Sequence, residues 1–275
     1  MPIKLIAIDI DGTLINSKNQ LTQATVDALE AAAKAGIHVC ISTGRPASEF
    51  REYIEKLPGM RYTVTCTGSQ VIDLHTGKDI FRKALSADEL RMLYKIIAAY
   101  DIIPDIFDEN NAIHNPAKDI ADADFWGVYH PLIQANHIPE PDMDAYIEQF
   151  TGVTNKLHMY FRDLSHKPKL WEELKKLPYE VMESCAVDLE IMPLGIDKGL
   201  GLQKLAEHLG LQPEEVMALG DGGNDVGMFR YAGTAVAMKN ASEIAKAAAD
   251  RVSLYTNDED GVAKEVLAVL KGESV

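Results

Sequence analysis

The sequence predicts an α/β protein: a doubly wound parallel sheet flanked by helices, split by an inserted α+β domain. Short continuous apolar runs at residues 5–8, 37–41, 62–66, 216–219 and 234–237 read as strands buried on both faces of a parallel sheet. Segments of helical periodicity alternate with them in both outer parts of the chain. In the middle that rhythm is lost, which suits an α+β unit rather than further βαβ repeats. The implied division is residues 1–84 and 191–275 for one domain and 85–190 for the other.

Taken in order, the first run ends abruptly in Asp9-Ile10-Asp11-Gly12-Thr13. Residues 16–20 are too hydrophilic for a core and long enough to fold over a site. Thr22 then caps a helix in which Val26, Leu29, Ala32 and Ala33 keep helical spacing, and Gly36 stops it. The second run ends in Ser42-Thr43-Gly44-Arg45-Pro46, with Pro46 near a helix start, where proline is tolerated. The third ends in Thr67-Gly68, and residues 70–74 and 79–83 around Thr76-Gly77 read as a β-hairpin.

Ser86 and Glu89 form a capping box for a helix through Tyr100. Beyond it, strand-like and helical pieces mix irregularly over 102–107, 156–161, 171–177, 179–182 and 187–192. Asn110-Asn111 marks a turn there, and Pro131, Pro139 and Pro141 punctuate a loop-rich stretch. From Gly195 the α/β rhythm returns with a helix opened by Lys198 and closed at Gly210. A strand then ends in Gly220-Asp221-Gly222-Gly223-Asn224-Asp225, followed by a helix through Tyr231 and the strand at 234–237. An alanine-rich helix from Ala241, a strand near 251–254 and a helix over about 258–270 complete the chain.

A chain of 275 residues, 47% hydrophobic and 25% charged, can bury a large core as one large or two ordinary domains. The formal net charge of −15 argues against a nucleic-acid or acidic-membrane partner, since both need a basic face. A small anionic substrate stays compatible, because a metal ion and one or two cations invert the local field. Cys40, Cys66 and Cys185 form no CxxC pattern and read as small buried hydrophobes in a reducing compartment. Asp9 and Asp11 interrupt the N-terminal apolar segment, and no run approaches the roughly 18 apolar residues of a membrane span. A soluble, cytoplasmic protein is expected.

In an open α/β sheet, ligands gather outside the carboxyl ends of the strands. There the sequence collects Asp9 and Asp11, Ser42-Thr43, Lys198, and Asp221 with Asn224 and Asp225. Singly, each has a plain reading: an acidic turn, a helix cap at Thr43, a solvated helix-start lysine. Their joint placement at the strand ends of one split sheet makes that many coincidences improbable. Burying carboxylates there without compensation costs on the order of several kcal/mol, and a divalent cation with oxygen ligands such as Mg²⁺ is the simplest partner. No G-x-x-x-x-G-K-[ST] occurs, so a P-loop is excluded. Gly220-x-Gly222-x-x-Asp225 lacks the third glycine of a dinucleotide fingerprint, and Asp221 stands where a pyrophosphate would approach. The loop suits a cation.

The ordered set Asp9-Ile-Asp11-Gly12-Thr13, Ser42-Thr43-Gly44-Arg45-Pro46, Lys198-Gly199 and Gly220-Asp221-Gly222-Gly223-Asn224-Asp225 resembles the haloacid dehalogenase superfamily of aspartyl phosphohydrolases. More closely it resembles the Cof-type phosphatases (subclass IIB), which carry a large α/β cap inserted after the third strand. Residues 235–242 and 257–263 are similar to that family as well. The resemblance implies a Rossmann-like core with an inserted cap domain, and a phosphatase activity using Mg²⁺. It makes Asp9 the nucleophile that forms an aspartyl-phosphate, and Asp11 the acid for the leaving oxygen and then the base for water. It gives Mg²⁺ the side chains of Asp9 and Asp221 and the backbone carbonyl of Asp11, with Asp225 orienting metal-bound water. Thr43, Gly44 and Lys198 would hold the phosphoryl oxygens, with Asn224 fixing Lys198. Arg45 is a candidate substrate contact or equally a surface ion pair. Thr67-Gly68 departs from the Asn-Gly usual there, so Thr67 and Gly68 stand only as candidate substrate contacts.

The activity so implied is hydrolysis of a small, sugar-like phosphorylated metabolite. A phosphomutase using the same first step and a non-catalytic phosphate-ligand sensor are the alternatives. A dehalogenase is disfavoured, since carbon–halogen cleavage needs no acid and Asp11 is present. Asp108, Glu109, Asn111, His114, His158 and Tyr160 are polar candidates for substrate selection in the insertion. Hairpin and core explanations serve each of them equally, and the histidines show no metal-ligand spacing.

Overall fold

Two sheets organise the chain, each within its own compact unit. The computed structural model describes residues 2–108, 111–115, 136–184 and 186–272; Glu109, Asn110, Pro131 and Cys185, named above, lie outside them. One unit comprises Met1–Gly44, Arg51–Arg82 and Asp197–Val275, the other Arg45–Phe50 and Lys83–Ile196. Residues 45–50 thus join the second unit although they lie between two pieces of the first.

The first unit holds β1 (Leu5–Ile8), β2 (His38–Ser42), β3 (Tyr62–Thr65), β4 (Gln70–Asp73), β5 (Lys78–Arg82), β13 (Val216–Gly220), β14 (Thr234–Ala237) and β15 (Arg251–Val252). Their order is β15-β14-β13-β1-β2-β3-β4-β5. All neighbours from β15 to β3 run parallel, and the β4–β5 hairpin continues the sheet antiparallel. β1 is central, with Leu5 between His38 and Val216. Its four residues are fully buried, which is why it reads as an unbroken apolar run rather than an alternating one.

Helix α1 (Gln23–Lys34) starts at Thr22, whose hydroxyl accepts from the Thr25 amide at 3.2 Å. It packs on α9 (Gly261–Lys271). Helix α6 (Lys198–Leu209) is capped by Asp197, whose carboxylate accepts from the Leu200 amide at 2.7 Å, and it ends at Gly210 in the left-handed conformation. It packs on α7 (Val226–Tyr231). The alanine-rich helix α8 spans Glu243–Ala248 and is capped by Ser242, two residues beyond the expected start at Ala241. The last helix begins at Gly261, later than expected, because Asp260 adopts φ +56° and separates it from a short turn at Asn257–Glu259.

The second unit contains β6 (Leu85–Ser86), β7 (Ile102–Asp108), β8 (Asn111–His114), β9 (Ile138–Pro139), β10 (Val153–Phe161), β11 (Tyr179–Met182) and β12 (Asp188–Pro193). Their order is β11-β12-β10-β7-β8-β9, with β6 also on β10. Helix α3 (Ala87–Ile97) carries the Ser86–Glu89 capping box in full, and stops one turn before Tyr100. With α4 (Met143–Gln149) and α5 (Lys167–Leu174) it covers one face of the sheet. There Ile106, Leu157, Met159, Leu189 and Ile191 meet Leu90, Leu93, Ile147 and Leu170 in a single apolar cluster. Strand side chains alternate between faces, so the opposite face carries a row across four strands: His114, Asp105, His158 and Glu190. All four are buried. No helix among the described residues is long and apolar enough to cross a membrane.

Candidate active site

The carboxyl ends of β1 and β13 meet through their loops in the first unit. Asp9 follows β1 directly, and its amide donates to the Leu219 carbonyl at 3.0 Å. The chain then turns tightly: the amides of Leu14 and Ile15 reach back five residues to the carbonyls of Asp9 and Ile10. Gly12 makes this turn at φ +76°, and a Cβ there would stand 2.2 Å from Asp221 Oδ2. The glycine therefore serves both the left-handed backbone and the close approach of the two loops. The Thr13 hydroxyl donates to Asp221 Oδ1 at 3.2 Å, and half-buried Asp11 lies in the same turn.

Lys198, the first residue of α6, is fully buried. Its ammonium donates to Asp9 Oδ1 and to Asp225 Oδ1, each at 2.6 Å. Asp225 Oδ2 in turn accepts from the amides of Asp221 and Gly222, both at 2.8 Å. Asp225, rather than Asn224, is therefore the residue that fixes Lys198. The short turn at Gly223–Asp225 folds Asp225 back under the loop. Asn224 instead lies beside Gly222, where an added Cβ would come within 2.7 Å of its Oδ1.

Two asparagines with no role assigned from sequence brace this loop. Asn240 Nδ2 donates to the Gly12 carbonyl at 2.8 Å, and the Asn257 amide donates to Asn240 Oδ1 at 3.0 Å. Asn257 Nδ2 reaches the Ile15 carbonyl at 2.9 Å. Only tertiary structure brings residues 12 and 240 together, so spacing along the chain held no signal for this contact. Asp197 was legible in principle, as an N-cap type directly before a helical run.

The other expected residues divide. Thr43 is buried just past β2; its amide donates to the Val64 carbonyl at 2.9 Å and its carbonyl accepts from the Thr67 amide at 3.0 Å. Gly44 follows it at the end of that stretch of the first unit. Gly68, at φ +96°, has a different task from substrate contact: a Cβ there would lie 1.9 Å from the Asp197 carbonyl oxygen. It lets the turn after β3 lie against the start of the Lys198 helix. Arg45 belongs to the second unit, where its Nη1 donates to the Glu49 carbonyl at 3.5 Å. Cys40 and Cys66 are buried and unbridged, and burial pushes the Cys40 thiol up to about 12, which leaves it inert.

Asp9, Asp221 and Asp225 each present a carboxylate oxygen within 4.8 Å of the others. Burial pushes the Asp9 carboxyl well above the usual range; Lys198 opposes this, while Asp225, Asp11 and Asp221 add to it. Asp221 is pushed up to about 6, first by burial and then by Asp225. Burial alone would lower Lys198, yet Asp225 and Asp9 outweigh it and hold the ammonium above the ordinary lysine range. Three carboxylates share one ammonium, so the site is short of positive charge. Its donors are all hard oxygens, which fits a divalent cation such as Mg²⁺ and makes a thiophilic metal a poor match.

The sequence signature of the haloacid dehalogenase-like hydrolases matches residues 6–266. The chain belongs to that family. A 5-amino-6-(5-phospho-D-ribitylamino)uracil phosphatase of Bacillus subtilis is 33% identical over 265 residues, which is 96% of this chain and 94% of that one. A haloacid dehalogenase-like hydrolase of Bacteroides thetaiotaomicron superposes with a TM-score of 0.84 at 28% identity, covering 97% of this chain and 99% of its own. A subclass IIB sugar phosphatase shares the fold at a TM-score of 0.80 and 23% identity, over 96% of this chain and 98% of that one. This haloacid dehalogenase-like hydrolase is a phosphatase. The activities named for these relatives lend no support to the phosphomutase alternative.

Proposed function

We propose that the protein is a cytoplasmic, Mg²⁺-dependent phosphomonoesterase that frees a small hydroxylated metabolite from its phosphate through an aspartyl-phosphate on Asp9. The observation that carries this reading is the buried Lys198 ammonium held between Asp9 and Asp225, 2.6 Å from each, with Asp221 alongside. A lone ammonium among several carboxylates is suited to a ligand that brings anionic oxygens together with a cation. The side chains of Asp9 and Asp221, with the Asp11 carbonyl, would hold the ion, which supplies charge that keeps Asp9 ionised and offsets the phosphoryl group.

The chain's own groups account for the remaining chemistry. An Asp9 carboxylate oxygen attacks phosphorus while the bond to the leaving oxygen breaks, and Asp11 gives that oxygen a proton, so the product departs as an alcohol. Water then attacks the same phosphorus and yields its proton to Asp11, regenerating Asp9 and releasing inorganic phosphate. Lys198, the Thr43 hydroxyl and the Gly44 amide would hold the phosphoryl oxygens. Asp225 supports this by fixing the Lys198 ammonium. Selection of the substrate falls to the inserted unit acting as a cap. A relative named for a ribityl phosphate favours a polyol or sugar phosphate among the small hydroxylated substrates.

Purified protein with Mg²⁺, assayed against a panel of polyol, sugar and nucleoside phosphates, tests this reading. The expected result is phosphate release with the highest kcat/KM on polyol or sugar phosphates. Chelation should abolish turnover, with Mg²⁺ restoring it and Ca²⁺ doing so poorly because its looser coordination misplaces the nucleophile. Full activity after exhaustive chelation would sink the metal assignment, and no release from any phosphomonoester would sink the activity.

A further inference from the structure

A second group of ligand-type side chains lies wholly inside the inserted unit. Asp105 on β7 and His114 on β8 are register partners, and His137 immediately precedes β9, which runs parallel to β8. His114 Nδ1 is 2.5 Å from Asp105 Oδ1, and His137 Nδ1 is 3.4 Å from Asp105 Oδ2. His137 Nε2 is 2.8 Å from Glu49 Oε1, on the 45–50 segment that belongs to this same unit. None of the four side chains is more than 6% exposed.

Two observations set this group apart from ordinary polar pairing. Asp105 Oδ2 and His137 Nδ1 are both buried, and neither has a hydrogen-bond partner among the described residues, although only 3.4 Å separates them. That spacing is too long for an N–H···O bond of about 2.7–3.2 Å. It matches two ligands of one small ion, since bonds of about 2.0–2.2 Å set tetrahedral neighbours about 3.3–3.5 Å apart. The second observation concerns Glu49. An imidazole that ligates a metal almost always gives its other nitrogen to a carboxylate, which sets the tautomer and ring direction. Glu49 does this for His137.

Asp105, His114 and His137 each offer one ligand atom, all within 4.8 Å of one another. With both imidazoles neutral, the charges of Asp105 and Glu49 are balanced by one dication. Without it the balance falls to protons: burial would lower His137, but Asp105 and Glu49 together push it up to about 9. The neighbouring group of His158, Asp188 and Glu190 does not carry the same inference. There Lys156 Nζ already stands 2.6 Å from Glu190 Oε1, and Asp188 accepts from both His158 and Ser184.

We propose that Asp105, His114 and His137 form a site for one divalent transition metal of the zinc class, with Glu49 orienting His137 and water completing the coordination. Two imidazoles and one carboxylate favour Zn²⁺ or Co²⁺ over Mg²⁺, whereas the all-oxygen set of the first unit has the opposite preference. Loading replaces the Asp105–His114 hydrogen bond with bonds to the ion and sends the His137 Nδ1 proton to solvent. The ion would then clasp the 45–50 segment, through Glu49, to β7 and β8.

The full chain, stripped with chelator and then saturated with Mg²⁺, is titrated with Zn²⁺ by calorimetry and with Co²⁺ by visible absorption. The expected result is one further equivalent of Zn²⁺ with proton release, and Co²⁺ bands of a nitrogen–oxygen site of low coordination number. His137→Gln should abolish that equivalent, Glu49→Gln should weaken it by about 10–100-fold, and Asp9→Asn should leave it intact. If His137→Gln does not fold, the isosteric Glu49→Gln and the remote Asp9→Asn decide. The proposal is overturned if Mg²⁺-saturated protein takes up no zinc, if Asp9→Asn removes the equivalent, or if Glu49→Gln binds as tightly as the parent.

Discussion

Lys198 links two carboxylates that would otherwise be buried without a counter-charge, at 2.6 Å from each. Breaking a buried pair by removing one partner typically costs about 3–5 kcal/mol, because an uncompensated charge remains. Lys198→Met should therefore lower stability by about that amount in Mg²⁺-free urea titrations, and abolish turnover. Added Mg²⁺ should recover part of the loss, since it restores positive charge beside Asp9. A stability change below about 1 kcal/mol, the scale of a surface pair, would show that Asp9 and Asp225 are not both ionised around this lysine. The same geometry explains Asp225: with one oxygen on Lys198 and the other on two amides, it has little freedom left.

Among the elements, the turn after β3 is where sequence and backbone disagree most. Cys66 and Thr67 both adopt left-handed conformations, at φ +49° and +58°. A β-branched residue is an outlier there, whereas asparagine tolerates the region. Thr67 is held by its amide bond to the Thr43 carbonyl, so the strained turn supports the residue proposed to bind phosphate. Thr67→Asn should relieve strain of about 1 kcal/mol and raise the urea midpoint without changing the slope. A lower midpoint would mean that the packing of the buried threonine outweighs its backbone strain.

At the scale of the whole molecule, each unit has its own sheet, and the acidic cluster belongs to the first alone. Cutting out the insertion would strip Phe50 and Glu49 of their surroundings, because residues 45–50 belong to the second unit. Calorimetry of the intact chain is the cleaner probe. Mg²⁺ at about 100 times its Kd should add about 2.7 kcal/mol to the first unit, shifting one of two transitions and leaving the other in place. A single transition, or equal shifts in both, would contradict independent units. Much of this architecture was legible in the chain, because buried parallel strands are unbroken apolar runs and the helices carry caps at Thr22, Ser86 and Gly210. Asp9, Asp221 and Lys198 could be proposed for one site because all lie at strand or helix ends, where an α/β sheet gathers ligands. The exchange of Asn224 for Asp225, the packing task of Gly68 and the brace of Asn240 were not legible. Each depends on side-chain direction or on a contact between loops far apart in sequence. The buried row on the second sheet escaped for a similar reason: His114 and His137 share a partner only after three strands have paired.

The central claim is that Asp9 carries the phosphoryl group while Asp11 moves the protons. Asp11→Asn keeps its backbone carbonyl for the metal, and an aryl phosphate has a leaving group that needs little protonation. The first step should then survive in part, while breakdown of the intermediate loses its base, an effect of about 10²–10⁴-fold. Rapid-quench mass spectrometry of Asp11→Asn with Mg²⁺ and an aryl phosphate is the most direct measurement. The predicted result is a burst of aryl alcohol, with one phosphoryl group on the peptide containing Asp9 and none in the Asp9→Asn control. A folded, metal-bound Asp11→Asn protein that shows no burst and no adduct, or carries the phosphoryl group elsewhere, would contradict the account.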